Sequence, residues 1–169
     1  MNCRKFIGIG LCCLAVALFV MFLFALYRHS ARMARIKYLP QDTLVSIYGE
    51  EFRLDEVQCG SKTALMFFSH DCEFCRKEIE GIVDNAYKML NVSWVFVTPS
   101  PVEDVNVFLG EYYLDKLPYV KICCLNTPDL FVKFDVSAPP ALFIYDENGE
   151  LMKYQKGAVS ISEILKWLE

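Results

Sequence analysis

The chain has 169 residues, with 17 Lys and Arg against 21 Asp and Glu. All the acidic residues lie after position 41, where 11 basic residues leave a formal charge of −10. Such an acidic domain repels phosphate backbones, so the composition argues against a nucleic-acid partner. The segment 42–169 is long enough for one domain with its own core.

The first predicted element is a transmembrane helix over residues 6–27, an apolar run without a charged residue. It is long enough to cross a bilayer, and it exceeds the apolar core of an ordinary signal peptide. No A-x-A-like cleavage site precedes its basic flank, so we predict a retained anchor rather than a cleaved signal peptide. Residues 1–5 then form a cytoplasmic n-region. Residues 28–41 form a basic linker, which anionic lipid head groups would attract.

The remaining sequence alternates strand and helix patterns. Near-continuous apolar runs predict buried strands, apolar residues at helical spacing predict amphipathic helices, and Asn148-Gly149 predicts a hairpin turn. In chain order the predicted elements are a hairpin over 44–54, a strand over 63–68, a helix over 72–90, a strand over 92–97, a helix over 102–114, a strand over 119–125, a short helix over 128–134, a hairpin of 141–145 and 151–155, and a helix over 160–168. This order predicts an α/β fold, a mixed central sheet with helices on both faces.

The segment Cys72-Glu73-Phe74-Cys75 lies at the junction of a predicted buried strand and a predicted helix. Residues three apart on a first helical turn are neighbours, so the two cysteines come within the separation that a disulfide needs. The unpaired N–H groups and the dipole of a helix N-terminus favour a thiolate at the first cysteine. This arrangement predicts a thiol–disulfide exchange site with a redox-active Cys72–Cys75 disulfide and no other cofactor.

Three further cysteines lie in the domain: Cys59, Cys123 and Cys124. The odd total of five excludes a closed disulfide framework. Adjacent cysteines in a strand point to opposite faces, and no His or second C-x-x-C completes a tetrahedral zinc set with them. We therefore predict no metal site, interpret Cys123 and Cys124 as buried core thiols, and interpret Cys59 as a strand-edge residue.

Two segments of the domain carry a family resemblance. The first is the strand 64–68 followed by the C-x-x-C and by Arg-Lys-Glu. The second, about 65 residues further on, is Pro139-Pro140-Ala141-Leu142-Phe143-Ile144-Tyr145-Asp146 with Asn148-Gly149 after it. Together they resemble the thioredoxin fold and, within it, the TlpA/ResA-like group of membrane-anchored, extracytoplasmic thiol–disulfide oxidoreductases, whose second segment reads PTTFLID-x-x-G.

The resemblance implies roles for four residues. Cys72 would be the attacking thiolate, Cys75 the resolving cysteine, and Pro140 a cis-proline that faces the disulfide and leaves a backbone edge free to bind substrate. Glu78 matches an acidic residue thought to handle protons at the pair. An ordinary Pro-Pro turn before a strand is the alternative for Pro140, and a solvated helix face is the alternative for Glu78.

The residues around the pair predict its direction of exchange. Asp71 and Glu73 place two carboxylates beside the first cysteine, which disfavours its thiolate, and together with Phe74 we expect them to tune the pair. A less stabilised thiolate means a more stable disulfide, and hence a reductant. Protonated His70 could acidify the first cysteine, although a polar residue in such a loop is commonly only solvated. Two positions depart from the family: Asp71 stands where Trp is usual, and Pro139 has no N–H with which to bind substrate.

The sequence therefore predicts a membrane-anchored thiol–disulfide oxidoreductase that reduces protein disulfides outside the cytoplasm. Its substrates would be protein thiols and disulfides, and an upstream electron donor in the membrane would re-reduce it. Two alternatives stay open. A peroxiredoxin-like peroxidase would lack its usual P-x-x-x-T-x-x-C pattern, with Leu65 and Ser69 at the Pro and Thr positions. A non-catalytic binding module would keep only the fold.

Two lines of reasoning disagree on the orientation of the anchor. Four Lys and Arg residues follow the span and two precede it, which taken alone leaves the domain in the cytoplasm. The family resemblance predicts a periplasmic or other extracytoplasmic domain, and a tethered reductant suits that location. We follow the resemblance.

Overall fold

The computed structural model describes residues 3–57, 62–114, 117, 119–124 and 129–169. The contacts within the chain divide it into two units, Met1–Arg35 and Ile36–Glu169. Cys59 lies outside the described residues, so its predicted position at a strand edge stays a prediction.

The first unit is a single helix, α1, whose bounds are Cys3–Ile36. Its segment Cys13–Ile36 is long and apolar enough to cross a membrane, with a mean hydropathy of 1.8, a test that a signal sequence also passes. The structure differs from the predicted linker, because the helix continues through the basic residues after position 27. Ala, Met and Arg dominate this stretch and are good helix formers, and Arg35 in the last turn complements the helix dipole.

The second unit contains a five-stranded sheet and a separate two-stranded hairpin. The hairpin consists of β1 (Thr43–Val45) and β2 (Glu51–Arg53). The sheet strands are β3 (Thr63–Phe67), β4 (Ser93–Thr98), β5 (Val120–Cys124), β6 (Ala141–Tyr145) and β7 (Leu151–Lys156). Their order across the sheet is β5-β4-β3-β6-β7, with β3, β4 and β5 parallel and β6 and β7 antiparallel to their neighbours. The mixed sheet that the sequence predicted is therefore confirmed.

Within the described part of the chain, four helices cover the two faces of this sheet. They are α2 (Glu73–Asp84), α3 (Val102–Tyr112), α4 (Asp129–Phe134) and α5 (Ile161–Leu168). Side chains of α2, α3 and α5 share one core cluster with Ala64, Met66 and Phe68 at β3. On the other face Phe67 packs against Phe131 of α4, with ring centroids 4.9 Å apart. Alternate residues of one buried strand thus serve two cores, as the continuous apolar run predicted.

The predicted helix over 72–90 is shorter in the structure. α2 ends at Asp84, and a short 3-10 helix, Ala86–Lys88, follows it. Asn85 ends the helix because its backbone N–H donates to the carbonyls of Ile82 and Val83, and its side-chain Nδ2 donates to the Gly81 carbonyl at 2.9 Å. Asparagine is a frequent residue at such a helix end.

Segments that precede β3 reach both edges of the sheet. At the β5 edge the Ile47 N–H donates to the Ile122 carbonyl at 2.9 Å. At the β7 edge the Leu151 N–H donates to the Lys37 carbonyl at 2.8 Å. Both edges therefore have a backbone partner from the N-terminal part of this unit.

Two helical glycines are expected to respond oppositely to substitution. A Cβ at Gly110 of α3 would meet nothing within 4 Å, so Gly110→Ala should raise the free energy of unfolding by about 0.5–1 kcal/mol through helix propensity. A Cβ at Gly81 of α2 would lie 3.3 Å from the Cβ of Ile161 in α5, so the larger Gly81→Val should lower it by about 1–3 kcal/mol. Urea unfolding of the full chain in detergent measures both changes. Shifts of the same sign would contradict the close approach of α2 and α5.

Candidate active site

The candidate site lies where β3 and β4 end and β6 begins. Phe67, the last residue of β3, pairs with Ala141, the first residue of the antiparallel β6. The loop that leads from β3 to α2 and the Pro139-Pro140 segment therefore meet at one edge of the sheet. This register brings together two motifs that are far apart in the sequence.

The two cysteines occupy different environments on the first turn of α2. Cys72 is the N-cap residue, half-buried, and its Sγ accepts a hydrogen bond from the Cys75 N–H at 3.2 Å. Cys75 is fully buried, and both residues are free thiols. Burial, and after it the neighbouring Cys72 and Glu78, raises the pKa of the Cys75 thiol far above its usual range. Cys72 is thus the accessible sulfur and Cys75 the sheltered, protonated one.

The Pro139–Pro140 peptide bond is cis, as the family resemblance implies for this position. The Pro139 carbonyl faces the pair, with its oxygen 3.9 Å from Cys72 Sγ. Pro140 is buried, and its own carbonyl accepts from the Gly157 N–H at 2.9 Å. The backbone of residue 139 is therefore the part of this segment that contacts the accessible sulfur.

Glu78 lies one helical turn after Cys75 and is 6% exposed, so the alternative of a solvated helix face does not hold. Its Oε2 accepts from the Val159 N–H at 3.4 Å, and its Oε1 is buried without a partner among the described residues. Burial raises the pKa of the Glu78 carboxyl to about 7, against a smaller lowering by the Val159 N–H. A buried carboxyl with such a pKa can give or take a proton near neutrality.

A cavity of about 240 Å³ lies beside this carboxyl. Phe74 and Lys77 line it from α2, and residues 158–161 line it from the segment that enters α5. Phe74, between the two cysteines, is 65% exposed. It provides an apolar surface near the pair, as a Trp before the first cysteine does in the family. Glu78 is therefore buried at the wall of a cavity rather than in the middle of the core.

The two acidic neighbours of Cys72 are exposed and charged. The Ser69 hydroxyl donates to the Asp71 carboxylate and is the main reason that the pKa of Asp71 is lowered. Lys77 Nζ lies 2.7 Å from Glu73 Oε1 and likewise lowers the pKa of Glu73. Since Lys77 balances the charge of Glu73, the repulsion that the sequence predicted at Cys72 rests more on Asp71.

Three residues of the site were missed or misjudged by sequence reasoning. The His70 side chain is 34% exposed, and its ring contacts Ser100 and Asp104, with Nδ1 2.9 Å from Ser100 Oγ. No local pattern connects positions 70, 100 and 104, because the loops after β3 and β4 meet only in the folded sheet. The only sequence signal for the Asp104 contact is that Asp104 lies in the first turn of α3, the helix that follows β4.

Two further cysteines, Cys123 and Cys124, lie on β5, separated from β3 by β4. Cys123 is buried and Cys124 half-buried, so the predicted core position fits Cys123 fully and Cys124 in part. Burial is the main cause that raises the pKa of the Cys123 thiol to about 12. Among the described residues no three His, Cys, Asp or Glu side chains are grouped so that they could hold a metal ion.

Comparison with known proteins agrees with this geometry. The model of the thioredoxin-like domain family matches residues 57–169. No curated protein matches the chain significantly.

Among solved structures, a secreted Mycobacterium tuberculosis disulfide oxidoreductase homologous to Escherichia coli DsbE superposes with a TM-score of 0.67 at 20% identity, covering 80% of this chain and 96% of that one. StoA from Bacillus subtilis gives 0.61 at 22% identity, with 79% and 99% coverage. The peroxidoxin BcpB from Mycobacterium tuberculosis gives 0.66 at 16% identity, with 78% and 93% coverage. At these identities the structures establish a shared fold.

Proposed function

We propose that Cys72 and Cys75 reduce disulfides of other proteins, since this chain belongs to the thioredoxin-like family and is a thiol–disulfide oxidoreductase. The observation that carries this proposal is the asymmetry of the pair. Cys72 is accessible at the helix start and accepts an N–H hydrogen bond, whereas Cys75 is buried beside it. Exchange by such a pair needs one sulfur that a partner can reach and a second sulfur close enough to resolve the mixed disulfide.

The proposed reaction has two exchange steps. The Cys72 thiolate attacks one sulfur of a substrate disulfide, forming a mixed disulfide and releasing the other substrate sulfur as a thiolate that takes up a proton. Cys75 then loses its proton and attacks Cys72 Sγ, forming the Cys72–Cys75 disulfide and releasing the second substrate thiol. The substrate gains two electrons and two protons, and the pair is oxidised.

Glu78 is the proposed acceptor of the Cys75 proton. The two residues are neighbours on α2, and the Glu78 charge acts on the Cys75 thiol. The unpartnered Oε1 and a pKa of about 7 suit a carboxylate that takes up a proton when Cys75 must become a nucleophile. The buried thiol would otherwise have to ionise without a base.

We further propose that the pair acts as a reductant and that Asp71, Glu73 and Phe74 tune it. The Asp71 carboxylate, whose charge the Ser69 hydroxyl and the nearby Arg76 favour, lies next to Cys72. Its negative charge would disfavour a thiolate there, which stabilises the disulfide. The exposed Phe74 and the Pro139 backbone would bound the surface that a substrate chain meets. Pro139 offers only its carbonyl there, and Pro140 holds that carbonyl towards the pair.

The proposed location is the outer side of a membrane, with α1 as anchor and a membrane electron donor that re-reduces the pair. The support is the apolar length of α1 and the TlpA/ResA-like pattern of the two sequence segments. A neighbour in fold is described as a secreted disulfide oxidoreductase, and that location would suit a tethered reductant of the same fold.

Reduction of insulin by the full chain in detergent tests the proposed function. The wild type, first reduced and freed of reductant, should precipitate insulin B chains in proportion to its amount, and Cys72→Ala should abolish this activity. Cys124→Ala is the matched control, because it removes a half-buried thiol two strands away and should retain activity.

Two other results would favour the alternatives. The similarity in fold to a peroxidoxin makes Cys72-dependent consumption of hydrogen peroxide, without insulin reduction, the signature of a peroxidase. The Ser69 hydroxyl, at the position of the peroxidase Thr, donates to Asp71, which speaks against that chemistry. A pair that stays inert to both dithiothreitol and insulin would leave a binding module.

A further inference from the structure

His70 stands two residues before Cys72, in the loop between β3 and α2, and contacts three other elements. Its ring Nδ1 lies 2.9 Å and its backbone N lies 3.3 Å from Ser100 Oγ, in the loop after β4. Its Nε2 lies 3.8 Å from Asp104 Oδ2 on α3. Its carbonyl accepts from Arg76 Nε on α2 at 3.0 Å. The residue therefore joins the loop that enters the cysteine pair to the elements around it.

The hydrogen bonds at Ser100 decide which nitrogen of His70 carries the proton. The Thr98 hydroxyl accepts from the Ser100 N–H at 3.1 Å and donates to Ser100 Oγ at 3.0 Å. The His70 backbone N–H is a second donor to the same oxygen. A hydroxyl oxygen has two lone pairs and one hydrogen, so both acceptor sites of Ser100 are used. Its own hydrogen must go to His70 Nδ1, which is then the acceptor nitrogen.

In its neutral form the ring thus carries its proton on Nε2, the nitrogen that lies 3.8 Å from Asp104 Oδ2. Thr98 and Ser100 are buried, at 0% and 5% exposure, which leaves little room for water to replace a lost partner. The Ser100 hydroxyl sets which nitrogen of the ring carries the proton, and Asp104 lies beside the other nitrogen. Together they determine the tautomer and the orientation of the ring. His70 is therefore held on both sides of its ring.

We propose that His70 is a positioning residue for the exchange reaction: its Nε2–H tautomer, selected by Ser100, fixes the loop that places Cys72, and protonation of the ring loosens that loop. The proposal rests on the proposed function of Cys72. Protonation adds a hydrogen at Nδ1, where it meets the Ser100 hydroxyl hydrogen. Ser100 must then rotate and accept from the ring, which displaces one of its two present donors.

Charged groups from three elements face His70. Asp104 on α3 and Asp71 in the same loop attract a protonated ring, and Arg76 on α2 contacts its carbonyl and lies near Asp71. Protonation therefore strengthens the Asp104 side of the contact while it disrupts the Ser100 side. The ring is drawn towards α3, and one of the two donors to Ser100 Oγ, the His70 N–H or the Thr98 hydroxyl, loses its acceptor.

The chain contains two histidines, His29 and His70, so selective ¹⁵N-histidine labelling of the full chain in detergent gives an assignable spectrum. His70→Asn removes one of the two signals and identifies the other. At neutral pH we expect the His70 signals of the Nε2–H tautomer, and we expect Ser100→Ala to mix the two tautomers. An Nδ1–H tautomer, or a preference that Ser100→Ala leaves intact, would overturn the proposal.

Labelling of Cys72 by iodoacetamide, followed by mass spectrometry against pH, measures the position of the loop without a substrate. His70→Leu should change the labelling rate severalfold at neutral pH. His70→Asn should restore the wild-type rate there, because its amide oxygen can stand in for Nδ1. Because Asn cannot be protonated, the pH profile of His70→Asn should differ from that of the wild type.

Asp84→Asn, at the far end of α2, is the control and should keep the wild-type profile. Identical profiles in the wild type and His70→Asn would overturn the proposal. A wild type that fails to reduce insulin would overturn the proposed function instead, and the spectrum and the labelling would still decide whether His70 positions the loop.

Discussion

Glu78→Gln is expected to raise the free energy of unfolding by about 3 kcal/mol at pH 8 and to change it little at pH 4. Burial raises the pKa of Glu78 from its ordinary value of 4.5 to about 7 in the folded chain. Between these values the folded chain holds a proton that the unfolded chain has released, so wild-type stability falls as the pH rises from about 4.5 to about 7. Each pH unit in that window corresponds to about 1.4 kcal/mol. Glutamine carries no charge and escapes this loss.

Urea unfolding of the reduced full chain in detergent, followed by the fluorescence of the buried Trp94, measures the effect at both pH values. Glu80→Gln is the matched control, because Glu80 lies on the same helix and is exposed. It should change the free energy of unfolding by less than about 0.5 kcal/mol at either pH. Equal effects of Glu78→Gln at pH 4 and pH 8 would contradict a carboxyl that is neutral in acid and buried as a charge in base.

The same variant separates stability from catalysis. If Glu78 accepts the Cys75 proton, Glu78→Gln should slow the second exchange step while it stabilises the fold. Insulin reduction should fall, and the mixed disulfide should last longer. A variant that is more stable and equally active would support the burial of the Glu78 charge. It would contradict the role of Glu78 as acceptor of the Cys75 proton.

Cys75→Ala is expected to convert a transient mixed disulfide into a stable covalent adduct. The buried Cys75 is the only group on the first turn of α2 that can attack Cys72 Sγ from within the chain, so its removal leaves the first step possible and the second impossible. Full-length Cys75→Ala expressed in cells should yield partners that reductant releases. Their identity would show both the substrate and the compartment that the domain faces.

Two controls make this experiment decisive. Cys72→Ala should capture nothing, since it lacks the accessible sulfur, and Cys75→Ala with Cys124→Ala should capture the same partners as Cys75→Ala. Partners that are all cytoplasmic would contradict the extracytoplasmic location. Equal capture by Cys72→Ala and Cys75→Ala would contradict the assigned roles of the two cysteines.

The sequence predicted what depends on local pattern. Strand and helix periodicity was sufficient for the mixed sheet, and the spacing of Cys72 and Cys75 was sufficient for their shared helical turn. The cis bond before Pro140 came from the resemblance of its segment to a known family. These features are encoded within a few neighbouring residues each.

The environment of the site depends on contacts between distant segments, which a single sequence does not display. Glu78 is buried because the segment before α5, which supplies the Val159 N–H, folds over it. His70 acquires its partner Ser100 from a loop 30 residues later. The ion pair between Glu73 and Lys77, in contrast, could have been predicted from the sequence, because residues four apart on a helix are neighbours.

Lys37 and Ile47, early in the second unit, give each edge of the sheet a backbone partner. Their position shows which part of the chain the domain needs. An uncovered edge strand offers unpaired N–H and C=O groups on which other chains can assemble. The Ile122 carbonyl and the Leu151 N–H are satisfied by Ile47 and Lys37, and both of these lie before residue 57, where the family match begins. The matched region therefore holds the redox pair and its core, whereas the residues before it keep the sheet from extending into its neighbours. Those preceding residues therefore serve solubility as much as fold.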